Sequence, residues 1–153
     1  LASDWDAIIL ARAGVERLQM SKYISSHIPL EEMLPAPGQG ALAVEIQKSN
    51  KFAADITSFL NDEDTSAAVN AERTFLKTLE GGCHVPIGAY AEIRPNGLYL
   101  EGFVGSVDGK TVIRKKLRGS KADPGKLGKS LAKDILDNGG KELLEEFKKS
   151  ESE

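Results

Sequence analysis

Ile87-Gly88-Ala89-Tyr90-Ala91-Glu92-Ile93, then Arg94-Pro95-Asn96-Gly97, then Leu98-Tyr99-Leu100-Glu101-Gly102-Phe103-Val104 run without interruption, and the reading of this stretch decides the fold. Two runs of strand length flank an Asn-Gly pair, a strong short-range hairpin signal. Ser106-Val107-Asp108-Gly109 repeats the signal and leads into a third run over 111–117. The pattern predicts a three-stranded antiparallel meander. Upstream, residues 66–79 place Ala68, Ala71, Phe75 and Leu79 along one stripe with Leu76 beside it, the spacing of a helix with one apolar face. Residues 62–65 offer N-caps, and Gly81 suits a left-handed C-cap. Downstream, Asp123-Pro124 joins a capping residue to a proline at the first helical position. Leu127, Leu131 and Ile135 then recur at spacing four, Gly139 ends that helix, and a last short helix is expected over 141–147. Helix, three strands, helix is an α+β domain, expected over 61–153.

The first part of the chain reads differently. Asp6-Ala7-Ile8-Ile9-Leu10-Ala11 has the composition of a strand buried on both faces, as in parallel sheets. Gly14 and one or two helical turns over Val15-Glu16-Arg17-Leu18 follow. Strand into helix is half of a βαβ unit, and the partner strands are not in this sequence. Residues 1–34 are therefore expected to be an incomplete α/β piece. Leu34-Pro35-Ala36-Pro37-Gly38-Gln39-Gly40 carries two prolines and two glycines in seven residues, the punctuation of a connection between domains. Ala41-Leu42-Ala43-Val44-Glu45-Ile46 resumes as an expected strand, and 51–60 as a helix. The opening Leu1-Ala2-Ser3-Asp4-Trp5, with no initiator Met, reads as the middle of a longer protein.

Composition bounds the function. The chain has 153 residues, 41% hydrophobic and 28% charged, enough to bury a core. A net charge of −3 supplies no basic field for nucleic acid or an anionic membrane. No apolar run approaches the roughly 20 residues of a spanning helix, and no signal peptide is visible. A single cysteine fits a reducing compartment such as the cytoplasm.

That cysteine is the first candidate. Cys83 stands in Glu80-Gly81-Gly82-Cys83-His84-Val85-Pro86, between the helix and the meander. Composition alone reads it as buried and inert; a glycine-flanked loop argues for an accessible thiol instead. With two histidines and no second cysteine, a metal site is not expected. His84, as the next residue in an extended chain, would point away from the thiol. Arg73 flanks the apolar stripe of the preceding helix. It reads either as a snorkelling side chain or as a guanidinium aimed at carboxylates near the Cys83 loop. Arg12 and Arg17 follow the first strand at its C-terminal end, where open α/β sheets bind ligands; Arg12 is kept as ordinary helix-surface charge, and His27 as a surface residue. Gly38-Gln39-Gly40 lacks the third glycine of a dinucleotide motif and reads as a hinge. The basic residues over 112–118 read as the solvated face of a strand.

Taken together, Asp6 to Ala11, Leu34-Pro35-Ala36-Pro37-Gly38-Gln39-Gly40-Ala41, Asn70-Ala71-Glu72-Arg73, Leu79-Glu80-Gly81-Gly82-Cys83-His84-Val85-Pro86-Ile87-Gly88-Ala89-Tyr90 and Gly102-Phe103-Val104-Gly105 resemble the porphobilinogen deaminase (hydroxymethylbilane synthase) family. The likeness runs from about Asp6 to Phe147 in the family's order. It implies a three-domain enzyme whose first two domains form a periplasmic-binding-protein-like unit. Residues 1–34 would end domain 2, 35–40 would be a hinge, 41–60 would cross back to domain 1, and 61–153 would be domain 3.

The resemblance also implies chemistry. Cys83 would carry a dipyrromethane cofactor through a thioether, and four porphobilinogen units would be added head to tail before hydrolysis releases hydroxymethylbilane, a tetrapyrrole and heme precursor. Loss of ammonia from porphobilinogen leaves an electrophilic carbon that a thiolate or a pyrrole carbon can attack, and a thioether resists the hydrolysis that frees the product. Each pyrrole carries an acetate and a propionate, so arginines are the expected binders. By position Arg17 and Arg73 match family arginines that hold these carboxylates, Gln39 and Gly40 match a cleft-lining segment, and Leu10 and Ala11 match a strand end near the pyrrole rings. The catalytic aspartate of the family has no matching position here. No catalytic residue is therefore expected in this chain, and activity would need the N-terminal half of the same enzyme as partner. A monomer is the family expectation. A non-catalytic small-molecule-binding module and a structural α+β domain are the competing readings.

Overall fold

Asp62 opens a sixteen-residue helix, its Oδ1 accepting the Thr65 N–H at 2.7 Å. That cap satisfies one of the four orphan N–H donors of a helix start. The computed structural model describes residues 5–79 and 85–150. Cys83, with Gly81, Gly82 and His84, lies outside the described residues. The chain divides into two units, Leu1–Met33 and Leu34–Glu153.

In the first unit, α1 (Arg12–Arg17) follows Ala11, whose backbone is extended, and a 3-10 turn spans Ser21–Tyr23. The strand expected over 6–11 does not form, and Ile8, Ile9 and Leu10 are exposed. Apolar, β-branched composition favours a pleated, half-buried surface. It cannot supply the neighbour whose backbone groups a strand must pair with, and no described segment offers one.

The second unit begins with the same lesson. Residues 41–46 also form no strand, and Leu42 is 92% exposed. Helix α2 (Lys51–Ser58) follows, capped by the Asn50 side chain accepting from the Ala53 N–H at 3.0 Å, and it buries no residue.

From Asp62 onward the fold matches the sequence pattern. Helix α3 (Glu63–Thr78) leads to β1 (Ile87–Arg94), β2 (Gly97–Gly105) and β3 (Val112–Gly119), then to α4 (Pro124–Ile135) and α5 (Lys141–Ser150). The sheet order is β1-β2-β3, antiparallel throughout. Arg94 pairs with Gly97 across the first turn, so Pro95 and Asn96 are its two central residues. The left-handed angle falls on Gly97 (φ 131°), where a Cβ would lie 2.7 Å from the Gly119 carbonyl oxygen. The Asn-Gly signal thus locates the turn correctly while glycine serves the first position of β2.

Helices α3 and α4 pack on each other and on one face of the sheet. Phe75, Leu98, Leu100, Val104, Leu131 and Ile135 are fully buried between them. Of the expected stripe, Ala71, Phe75 and Leu79 are buried and Ala68 is partly so, while Ala67 and the charged Glu72 join the buried face. Gly128 is where the helices meet: a Cβ there would collide with the Ala71 carbonyl oxygen. Asp123 caps α4 by accepting the Lys126 N–H at 3.0 Å. Gly139 turns left-handed (φ 101°) and separates α4 from α5.

Candidate functional site

Glu72 is the one charged residue in the core among those described. It sits one position before Arg73 on α3, with only 5% of its surface exposed. Its two oxygens take different partners: Oε1 accepts the Ala91 N–H and Oε2 the Gly38 N–H, each at 2.7 Å. Burial disfavours the charged form and raises the carboxyl above the ordinary glutamate value; the two backbone donors, Gly38 and Ala91, pull the other way without cancelling it. The result is a fastening between α3, β1 and the proline-glycine segment.

That segment is shaped for the contact. Leu34 is buried, the Pro35 carbonyl accepts the Ala89 N–H at 3.0 Å, and the Gln39 N–H reaches back to the Ala36 carbonyl at 3.3 Å. Gly38 and Gly40 both adopt left-handed angles, φ 79° and 78°, which an L side chain would resist. Gln39 therefore sits exposed between two glycines, at the tip of a turn anchored through Gly38.

Arg73 points outward on the same helix. It is exposed and has no ion-pair or hydrogen-bond partner among the described residues. With Thr74, Leu76 and Lys77 it lines a shallow groove of about 350 Å³. Lys77, one helical turn on, is a second exposed cation on this face, and its place there was not singled out from the sequence. The groove presents a fork of donors and a point charge to solvent, chemistry suited to carboxylates.

In the first unit, Leu10 and Ala11 lead into α1 and are exposed, and Arg17 lies in its last turn, exposed and unpaired among the described residues. Arg12 instead pairs with Glu16 at 2.6 Å across one turn on an exposed face, an ordinary surface pair. His27 is exposed as expected.

The basic residues of β3 lie on a strand as expected, Lys116 and Arg118 exposed and Arg114 and Lys115 half-buried, and the structure adds ion pairs that the sequence reading did not foresee. Arg114 and Lys116 contact Glu101 on β2 at 2.8 and 2.7 Å, and Lys115 lies 4.0 Å from Asp134. Burial raises the Glu101 carboxyl, but the bonds from Lys116 and Arg114 outweigh it and hold the group below its ordinary value. Antiparallel register places Glu101 opposite Lys116, which a one-dimensional reading of the charges does not reveal.

No group of three or more His, Cys, Asp or Glu able to hold a metal occurs among the described residues. None of their helices is long and apolar enough to cross a membrane.

These features define an α+β domain with a carboxylate-fastened loop beside an unpaired arginine. Comparison with known proteins places that class. The family model described as porphobilinogen deaminase, C-terminal domain, matches residues 66–137, and the model described as porphobilinogen deaminase, dipyromethane cofactor binding domain, matches residues 1–55. The porphobilinogen deaminase of Carboxydothermus hydrogenoformans is 44% identical over 150 residues, covering 98% of this chain and 48% of the relative. That of Moorella thermoacetica is 43% identical over 142 residues, covering 93% and 45%. That of Citrifermentans bemidjiense is 46% identical over 141 residues, covering 92% and 44%. The chain belongs to the porphobilinogen deaminase family, and it spans about half the length of the curated relatives it matches.

Proposed function

We propose that this chain is the C-terminal portion of a hydroxymethylbilane synthase, a transferase of tetrapyrrole biosynthesis. The enzyme deaminates porphobilinogen and joins four units head to tail on a primer held at Cys83. The observation that supports it best is the convergence of two family motifs at one place. Glu72 of Asn70-Ala71-Glu72-Arg73 fastens the Pro37-Gly38-Gln39-Gly40 turn, while Arg73 of the same motif stands free to take an anion.

The residues present fit a dipyrromethane. Its carboxylates need donors that are not already committed, and Arg73 and Arg17 are exposed without partners among the described residues. When bound, the group supplies the nucleophilic pyrrole carbon on which the chain grows. Arg73, with Lys77 one turn away, would bind acetate and propionate groups of the primer and the growing chain. Arg17 would do the same from the first unit. Gln39 and Gly40 would line the path of the chain, with Leu10 and Ala11 beside the pyrrole rings. Glu72 is not assigned as a general acid for this reaction, because it is buried and both of its oxygens face backbone N–H groups inside the domain. Proton transfer to the leaving amine is assigned to the N-terminal half of the enzyme, which is the proposed partner.

The domain reading follows the same proposal. Residues 1–34 complete domain 2, 35–40 connect, 41–60 return to domain 1, and 61–153 form domain 3. The unpaired apolar stretches at 6–11 and 41–46 favour it, since each is a strand sequence in want of a neighbour.

Intact-mass analysis of the protein carrying its N-terminal half tests the proposal. An adduct of two linked pyrroles on the Cys83 peptide is expected, with loss of turnover in Cys83→Ser. An unmodified Cys83 in active protein, or full activity in Cys83→Ser, overturns it.

A further inference from the structure

The free edge of the sheet is where the structure says more than the family match. Strand β1 is an edge strand, and edge strands present a row of unpaired backbone groups that need cover. Ala89 and Ala91 lie two positions apart, so their N–H groups share that edge. The Ala89 N–H is taken by the Pro35 carbonyl and the Ala91 N–H by Glu72 Oε1. The segment before Gln39 thus behaves as one rung of a fourth strand and then stops. Pro37 has no N–H to offer, and Gly38, the next residue, turns left-handed. The Gly38 N–H is the first donor after that break, and Glu72 Oε2 accepts it. The carboxylate takes over where chain-to-chain pairing ends.

Neither N–H has another acceptor among the described residues, and Glu72 is the only side chain bonded to both. It belongs to the helix whose next residue is Arg73. The Gln39 tip and the Arg73 groove are therefore linked through one side chain, Glu72 facing inward and Arg73 outward.

We propose that Glu72 is a positioning residue. By accepting the Gly38 and Ala91 N–H groups together, it fixes the Pro37–Gly40 turn to α3, so that Gln39 and Arg73 keep a constant relation while a carboxylate-bearing pyrrole chain is bound. This deepens the proposed function and rests on its assignment of Gln39 to the binding path. A carboxylate is required because both partners are donors. The amide of glutamine has one acceptor oxygen and would turn its NH2 toward the other N–H.

The test uses protein carrying the N-terminal half, in four forms: unaltered, Glu72→Gln, Gln39→Ala, and the double variant. Each is first checked for folding by circular dichroism and for the Cys83 adduct by mass. Glu72→Gln is expected to speed hydrogen exchange at the Gly38 amide and to raise KM for porphobilinogen by about fivefold, a loss the size of one ordinary net hydrogen bond. Its kcat should stay within about twofold, as for a loss of uniform binding. Gln39→Ala should raise KM as well, and the double variant should be no worse than the more affected single one, because Glu72 acts through the turn.

An unchanged KM in Glu72→Gln, unchanged Gly38 exchange, or additive effects overturn the proposal. If Gln39→Ala alone leaves KM unaltered, the binding role of the turn fails and the proposal falls with it. If Gln39→Ala has its effect and Glu72→Gln has none, only the positioning role falls. Should Glu72→Gln not fold, Glu72→Asp carries the same comparison, since its shorter side chain keeps the charge but cannot span both donors. A KM equal to the unaltered protein in Glu72→Asp overturns the proposal.

Discussion

Phe75 and Phe52 are both helical phenylalanines, yet Phe75 is 0% exposed and Phe52 74%. The contrast extends to the regions around them. From Asp62 onward, the apolar stripes of α3 and α4 meet a sheet that they cover, and the sheet has a strand on each side of β2. Before Asp62, α2 buries nothing and the strand-like runs 6–11 and 41–46 stay unpaired. The two regions do not differ in local propensity. They differ in whether a complementary surface exists among the described residues, which is what turns an apolar pattern into a core.

The largest break in this comparison is expected from Phe75→Ala, at about 3–5 kcal/mol, the usual cost of emptying a phenylalanine site in a packed core. Urea unfolding would measure it. Phe52→Ala in this chain should stay within about 0.5 kcal/mol. A comparable loss at Phe52 would end the distinction between the regions. A loss that appears only when the N-terminal half is present would locate the missing partner of α2.

Next is Gly128→Ala. The added Cβ would meet the Ala71 carbonyl and force α3 and α4 apart, a strain of about 1–3 kcal/mol. Unfolding midpoints would report it, and an unchanged midpoint would mean the helices are not in close contact. Asp123→Ala should cost about 1 kcal/mol by removing the α4 cap.

The smallest effect concerns Glu72 and pH. Burial raises its carboxyl in the folded state. Between the ordinary glutamate value and that raised value, the folded chain therefore holds a proton that the unfolded chain releases. Stability contributed by this group is present below the window and falls as pH rises through it. Glu72→Gln should remove that slope from a stability–pH profile. A profile identical to the unaltered chain would show that Glu72 titrates normally.

The sequence made the C-terminal domain legible for identifiable reasons. Asp62, Asp123-Pro124 and Gly139 mark helix ends through local backbone chemistry, and Asn96-Gly97 and Asp108-Gly109 mark turns the same way. Leu127, Leu131 and Ile135 declare a face by spacing. The strands at 6–11 and 41–46 were read from composition that is equally real but insufficient alone. Of the proposed site, Cys83, Arg73 and Arg17 stood out by loop, helix-face and strand-end placement, and motif position added their roles together with Gln39, Gly40, Leu10 and Ala11; Cys83 lies outside the described residues. Glu72 was quoted within a motif and given no role, since a glutamate on a helix reads as solvated until its neighbours are known. One signal was available: it falls one residue after Ala71 and three before Phe75, on the apolar face.

What the sequence by itself determined is what local rules can carry: helix caps, turns, the period of each apolar face, and the motifs that mark the family. Tertiary structure alone decided which apolar runs find partners, that Glu101 lies opposite Lys116, and that Glu72 turns inward to hold Gly38 and Ala91. The last of these depends on donors 34 and 19 residues away in sequence. A buried charge is tolerated only where the fold brings such donors to it.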